Sequence, residues 1–127
     1  MRPAVLDATA LLALLNDKPG AERVAGYLSE AAIGAVNLTE VIGKLAEQGM
    51  PEADIHTALA ALGLDIVPFD EDLAYRAGVL HPHTKKLGLS LGDRACLALG
   101  QQLSRPVLTA DRIWSRLKIG VEVVVIC

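Results

Sequence analysis

Aromatic side chains are scarce in this sequence: one Trp, one Phe and two Tyr among 127 residues. Modules that grip single-stranded nucleic acid stack bases on aromatic platforms, so this chain is a poor candidate for one. Cysteine is scarcer still. Cys96 and Cys127 alone cannot build a disulfide framework or a zinc site, and Cys96 lies in an apolar helical pattern, as a small core residue does. No run of about 18 apolar residues occurs, which argues against a transmembrane helix and a membrane partner. The apolar stretch from Val5 to Leu15 is broken by Asp7 and lacks a clear cleavage context, so no signal peptide is expected and a cytoplasmic protein is. An excess of positive charge is also lacking. Twelve Lys and Arg stand against fifteen Asp and Glu, a net charge of -3, so bulk electrostatics do not hold this protein to a polyanion. Local charge can differ: the C-terminal third carries Arg94, Arg105, Arg112, Arg116 and Lys118.

Apolar residues make up 52% of the chain. Most are Leu, Ala, Val and Ile, enough for one domain over residues 1–127 with a substantial core. PAVL reads as a short buried strand that passes into the Ala/Leu-rich helix ATALLALL, stopped by Asn16, Asp17, Pro19 and Gly20. GAERVAGYLSEA reads as a second helix with Val24, Leu28 and Ala31 or Ala32 on one face. AIGAV is a possible buried strand, and NLTEVIGKLAEQG a helix with Asn37 at its cap. PEADIHTALAALG begins a helix at Pro51 and ends it at Gly63. LDIVPF is a strand, and Asp70 caps the helix that follows. VLHPHTKKLGLS reads as a loop broken by Pro82 and Gly88. DRACLALGQQLS is helix, RPVLTA strand, DRIWSRLK partly helical, and VEVVVI a last strand of high β propensity. Short apolar strands separated by helices predict a three-layer α/β/α sandwich with a mostly parallel sheet.

In such sheets chemistry collects where strand C-termini meet the following helices. Asp7 ends AVL, Asp93 opens an Ala/Leu/Cys helix, and Thr109 and Asp111 end PVLTAD; Glu40 lies in NLTEVIGKL between Thr39 and Val41. Helix capping accounts for each acid separately. Three aspartates at neighbouring element mouths would instead repel and raise one another's pKa. A hard divalent cation, Mg2+ or Mn2+, relieves that repulsion.

The words VLDATALLALL, NLTEVIGKL, LSLGDRACLALG and PVLTADRIW, in that order, resemble the PIN-domain nucleases, in particular the VapC-like toxins of toxin–antitoxin pairs. The resemblance covers essentially the whole chain. It implies that Asp7, Glu40, Asp93 and Asp111 form the metal-binding catalytic set, with Thr109 the hydroxyl that accompanies the last aspartate. It further implies a Mg2+- or Mn2+-dependent endoribonuclease that leaves a 5′-phosphate and a 3′-hydroxyl, a homodimer, and a cognate VapB-like antitoxin that blocks the cleft. Arg94, Arg112 and Arg116 are candidates to hold substrate phosphates, and Lys85 and Lys86 weaker ones. Apolar stripes in GAERVAGYLSEA and DIHTALAALG suit a partner helix, the core or a dimer equally. Two alternatives remain open: a PIN nuclease of RNA processing or repair, and a non-catalytic receiver-like module in which Asp70 imitates a phospho-acceptor. His81 and His83 form an H-x-H pair without a third soft ligand nearby, which favours a loop role. Trp114 and Tyr27 read as packing residues.

Overall fold

A computed structural model describes residues 3–127. Five parallel strands form one sheet in the order β3-β2-β1-β4-β5. They are β1 (Ala4–Leu6), β2 (Ala31–Gly34), β3 (Asp65–Val67), β4 (Val107–Thr109) and β5 (Val123–Val125). Helices α1 (Ala8–Leu15) and α2 (Ala21–Ala25) follow β1, α3 (Ala35–Glu47) and α4 (Glu52–Ala60) follow β2, and α5 (Glu71–Val79), α6 (His81–Thr84) and α7 (Leu91–Leu103) follow β3. The three-layer α/β/α expectation holds, and every strand pair is parallel.

Strand alternation divides the core between the two faces of the sheet. Leu6, Ile33 and Leu108 point into one cluster with Leu11, Val24, Val41, Leu45 and Ile55, from α1 to α4. Val5 and Val107 point into the other, against Leu73 and Ala77 of α5, Leu97 and Leu99 of α7, and Trp114. Trp114 is fully buried, as a packing residue should be. Its indole N–H has no partner.

Several local expectations are corrected. The second helix stops at Ala25, a short 3-10 turn covers Leu28–Glu30, and Ala31 and Ala32 belong to β2. Inclusion in a buried strand paired on both sides, by β1 and β3, overrides their helical propensity. The interval around Pro82 is helical over His81–Thr84, with Pro82 in the first turn, where its missing N–H is harmless. Helix α7 starts at Leu91, and Ser90 rather than Asp93 is its cap.

The sheet order fixes the location of the site. After β1 the chain winds outward through β2 to β3, then crosses back so that β4 pairs with the other side of β1. The reversal puts a topological switch point at the C-terminal ends of β1 and β4, the place where open α/β sheets commonly bind ligands. Asp7 follows β1, and its N–H donates to the Leu108 carbonyl (3.0 Å), so the two strand ends are stitched together there.

Candidate active site

Asp7 is the N-cap of α1: the Ala10 N–H donates to its Oδ1 at 2.8 Å. A cap does not require burial, yet Asp7 is only 3% exposed. Two hydroxyls compensate it. Thr109, fully buried at the end of β4, donates to Asp7 Oδ2 at 2.6 Å. Thr9 reaches back from α1 to within 2.7 Å of Oδ1 and 2.9 Å of Oδ2. The direction of both protons follows from the backbone. Thr9 Oγ1 accepts from the Ala110 N–H (2.9 Å) and Thr109 Oγ1 from the Asp111 N–H (3.0 Å). With a backbone N–H on its lone pairs, each hydroxyl turns its single proton to the carboxylate. Burial pushes the Asp7 pKa up to about 6; the bonds from Thr109, Ala10 and Thr9 resist that rise, and the charge of Asp93 adds to it.

The other acids sit around this centre. Glu40 extends from α3, and Asn37, one turn earlier, donates from Nδ2 to Glu40 Oε1 (3.1 Å) and to the Gly92 carbonyl (3.0 Å). Asn37 is therefore not the helix cap: α3 starts from Gly34 without a side-chain cap. Its Oδ1 is buried without a partner, which costs about 1–3 kcal/mol, so its value lies in its two donors. The Glu40 pKa is raised by burial first, opposed by the Asn37 bond, with Asp93 adding to the rise. Asp93 folds back in a capping box, accepting from the Ser90 N–H (2.9 Å) while Ser90 Oγ accepts from the Asp93 N–H (3.2 Å). Asp111 caps the 3-10 turn Arg112–Arg116, accepting from the Ile113 N–H (3.0 Å).

Asp7, Glu40 and Asp93 thus share one electrostatic neighbourhood. Cys96 lies within it: burial pushes its thiol up, and Asp7, Asp93 and Glu40 each push it further. Asp111 joins through its backbone, which binds Thr109. Among the described residues, no three acidic, His or Cys side chains close around a single point that would hold an ion. Glu40, Asp93 and Asp111 each accept a hydrogen bond from their own helix or turn. In kind the donors fit a hard divalent cation: they are carboxylate oxygens. Among the described residues Lys44 pairs with Glu47 and His56 lies 3.5 Å from Glu52, both away from the site, and no Lys or Arg there forms a salt bridge with the four acids.

The arginines divide. Arg112 and Arg116 are exposed on the turn that Asp111 caps. Arg94 is half-buried and turned to α5, where Nη1 donates to the Ala77 carbonyl at 3.5 Å, and its Nε has no partner. His81 and His83 are exposed on α6, and Asp70 is occupied capping α5 through the Leu73 N–H. The sequence does suggest Asn37 as a hydrogen-bonding residue near the acids as well as a cap, and the structure keeps only the first role; the sequence does not single out Thr9 or Gly92. A hydroxyl two residues after an N-cap can turn back to the cap, so Thr9 had a local signal. Gly92 had none, since only the fold brings Glu40 over it.

A family model of the PIN domain matches residues 4–120, and the chain belongs to that family. PIN domains are nucleases, hydrolases that act on nucleic acid. Among solved structures, a toxin–antitoxin complex from Klebsiella pneumoniae is similar at 22% identity, covering 95% of each chain, with a TM-score of 0.76. DNA-bound VapBC from Salmonella typhimurium is similar at 19% identity over 100% of both chains, with a TM-score of 0.76. VapBC-1 from nontypeable Haemophilus influenzae is similar at 17% identity over 95% and 96%, with a TM-score of 0.69. Among curated proteins none matches the chain.

Proposed function

We propose that the chain is a single-domain, Mg2+- or Mn2+-dependent endoribonuclease toxin, neutralised by a cognate VapB-like antitoxin. The observation that carries this reading is Asp7: a buried carboxylate with raised pKa, aimed by two hydroxyls, beside Glu40 and Asp93 and, among the described residues, without a salt-bridge partner. Asp7, Glu40, Asp93 and Asp111 would hold the cation. Bound there, it supplies water activation and positive charge against the phosphodiester. Thr109 and Thr9 keep Asp7 in place as an acceptor. Arg112 and Arg116 are exposed beside Asp111 and bind phosphates flanking the cut. RNA as substrate rests on the VapC-like resemblance.

The antitoxin reading gains support from a groove of about 620 Å³ between α3 and α4, lined by Leu38, Ile42, Met50, Ile55, Leu59 and Ile66 among others. Ile42 and Ile66 are exposed in it. The DIHTALAALG stripe supplies part of this lining. GAERVAGYLSEA does not, because Val24 is in the core. Exposed Tyr75 and Val79, one turn apart on α5, offer an apolar face for the homodimer. No helix among the described residues is long and apolar enough to cross a membrane. A cytoplasmic setting is part of the proposal.

Cleavage-site mapping on total RNA, with Mg2+ or Mn2+ and with EDTA, tests the function. Discrete cuts ending in 5′-phosphate that vanish with EDTA and in Asp7→Asn are expected. Intact RNA under every metal condition, or cuts that persist in Asp7→Asn, would refute it.

A further inference from the structure

We propose that Gly92 is a positioning residue: by carrying no side chain it leaves a seat on α7 for the Glu40 carboxylate, which Asn37 holds there. The functional part of this inference rests on the reading of Glu40 as a metal ligand.

Gly92 is buried in the first turn of α7. Its backbone is not in the left-handed region, so an L-residue would fit its conformation. Glycine weakens a helix relative to alanine, and conformation gives no reason for it here. Space does. A Cβ on Gly92 would lie 2.6 Å from Glu40 Oε2, 2.7 Å from Oε1 and 2.8 Å from Cδ. The Glu40 carboxylate therefore lies against the bare Cα of Gly92. The opening turn of a helix favours negative charge.

Asn37 secures the arrangement from α3. Its amide bridges the two helices, donating to the Gly92 carbonyl and to Glu40 Oε1 while its own carbonyl has no partner. Both acceptors need the NH2 group, which fixes the orientation of the amide. Gly92 gives the carboxylate its space and Asn37 its rotation. Partners that orient a ligating carboxylate commonly govern metal affinity by about 10–100-fold.

A stabilising role and a positioning role predict opposite behaviour in Gly92→Ala. The new Cβ meets the movable end of Glu40, which can swing away, and alanine is the better helix former. The melting temperature should therefore match or exceed that of the parent, while Mn2+ affinity, measured by titration calorimetry, falls about tenfold. In a Glu40→Ala background the seat is empty, and Gly92→Ala should change Mn2+ affinity less than about twofold. Unchanged affinity in Gly92→Ala, or full additivity in the double variant, would overturn the positioning role.

The seat is also visible without metal. In 15N–1H spectra the Asn37 side-chain amide resonance should move in both Gly92→Ala and Glu40→Ala. If it stays fixed in Gly92→Ala, the seat itself is refuted. Equal Mn2+ binding by the parent and Glu40→Ala refutes Glu40 as a ligand and removes the functional part of the inference; a moving Asn37 resonance then supports the seat alone.

Discussion

The two halves of the acidic site are built differently. Asp7 is buried between the ends of the two strands that flank the switch point and accepts from α1, Thr9 and Thr109. At the rim, Asp93 and Asp111 each accept from a backbone N–H of their own turn, and Glu40 accepts from one amide of its own helix. The inner carboxylate is fixed by the sheet, and the outer ones by local bonds that side-chain rotation can release. An inner half of this kind sets where a cation sits, and an adjustable rim can close on it.

The contrast is broken most completely by Asp7→Asn, which should reduce cleavage to background while the fold survives. Thr109→Val comes next. It strips the short bond from Asp7 Oδ2 and leaves the Asp111 N–H without its acceptor. A loss of about 1–3 kcal/mol in stability and about 10–100-fold in activity is expected, measured by denaturant unfolding and RNA cleavage. Activity within twofold of the parent would show that the hydroxyl merely fills space.

A pH experiment sharpens the same contrast. The Asp7 pKa is raised from 3.8 to about 6 on folding, so the folded state holds this proton more tightly than the unfolded state. Its contribution to stability is present below about pH 4 and is lost as pH rises to about 6, a change of about 3 kcal/mol. Glu40, also raised, acts in the same direction. Unfolding in EDTA between pH 4 and 7 should show this decline in the parent and a smaller one in Asp7→Asn. Identical pH profiles would mean that Asp7 is not the buried acid described here. The smallest effect belongs to the rim. Asp111→Asn keeps a capping residue on an exposed turn and should alter stability by no more than about 0.5 kcal/mol, with a smaller loss of cleavage than Asp7→Asn.

Much of this was readable from the chain because parallel-sheet logic is one-dimensional. A strand followed by a helix puts the junction residue at the sheet's C-terminal edge, which places Asp7, Thr109 and Asp111 on one edge from the order of elements alone. Asn37 was misread because AIGAV offers no capping side chain, and the first polar residue looked like the start of the helix; in fact α3 begins uncapped two residues earlier. Pro82, by residue type a breaker, opens a helical turn instead, because a proline fits the first turn of a helix. The bond from Ala110 N–H to Thr9 spans 101 positions, and the Gly92 carbonyl is 55 positions from Asn37. No local pattern encodes such partners, which arise only when β4 returns beside β1 and α7 packs on α3.

The central claim is that Asp7 anchors a divalent cation at the junction of β1 and β4. Calorimetric titration of Mn2+ into the parent and into Asp7→Asn, both shown to be folded, tests it most directly. Saturable binding by the parent, lost in the variant, is the predicted result. Equal binding by both, or none by the parent, would contradict it.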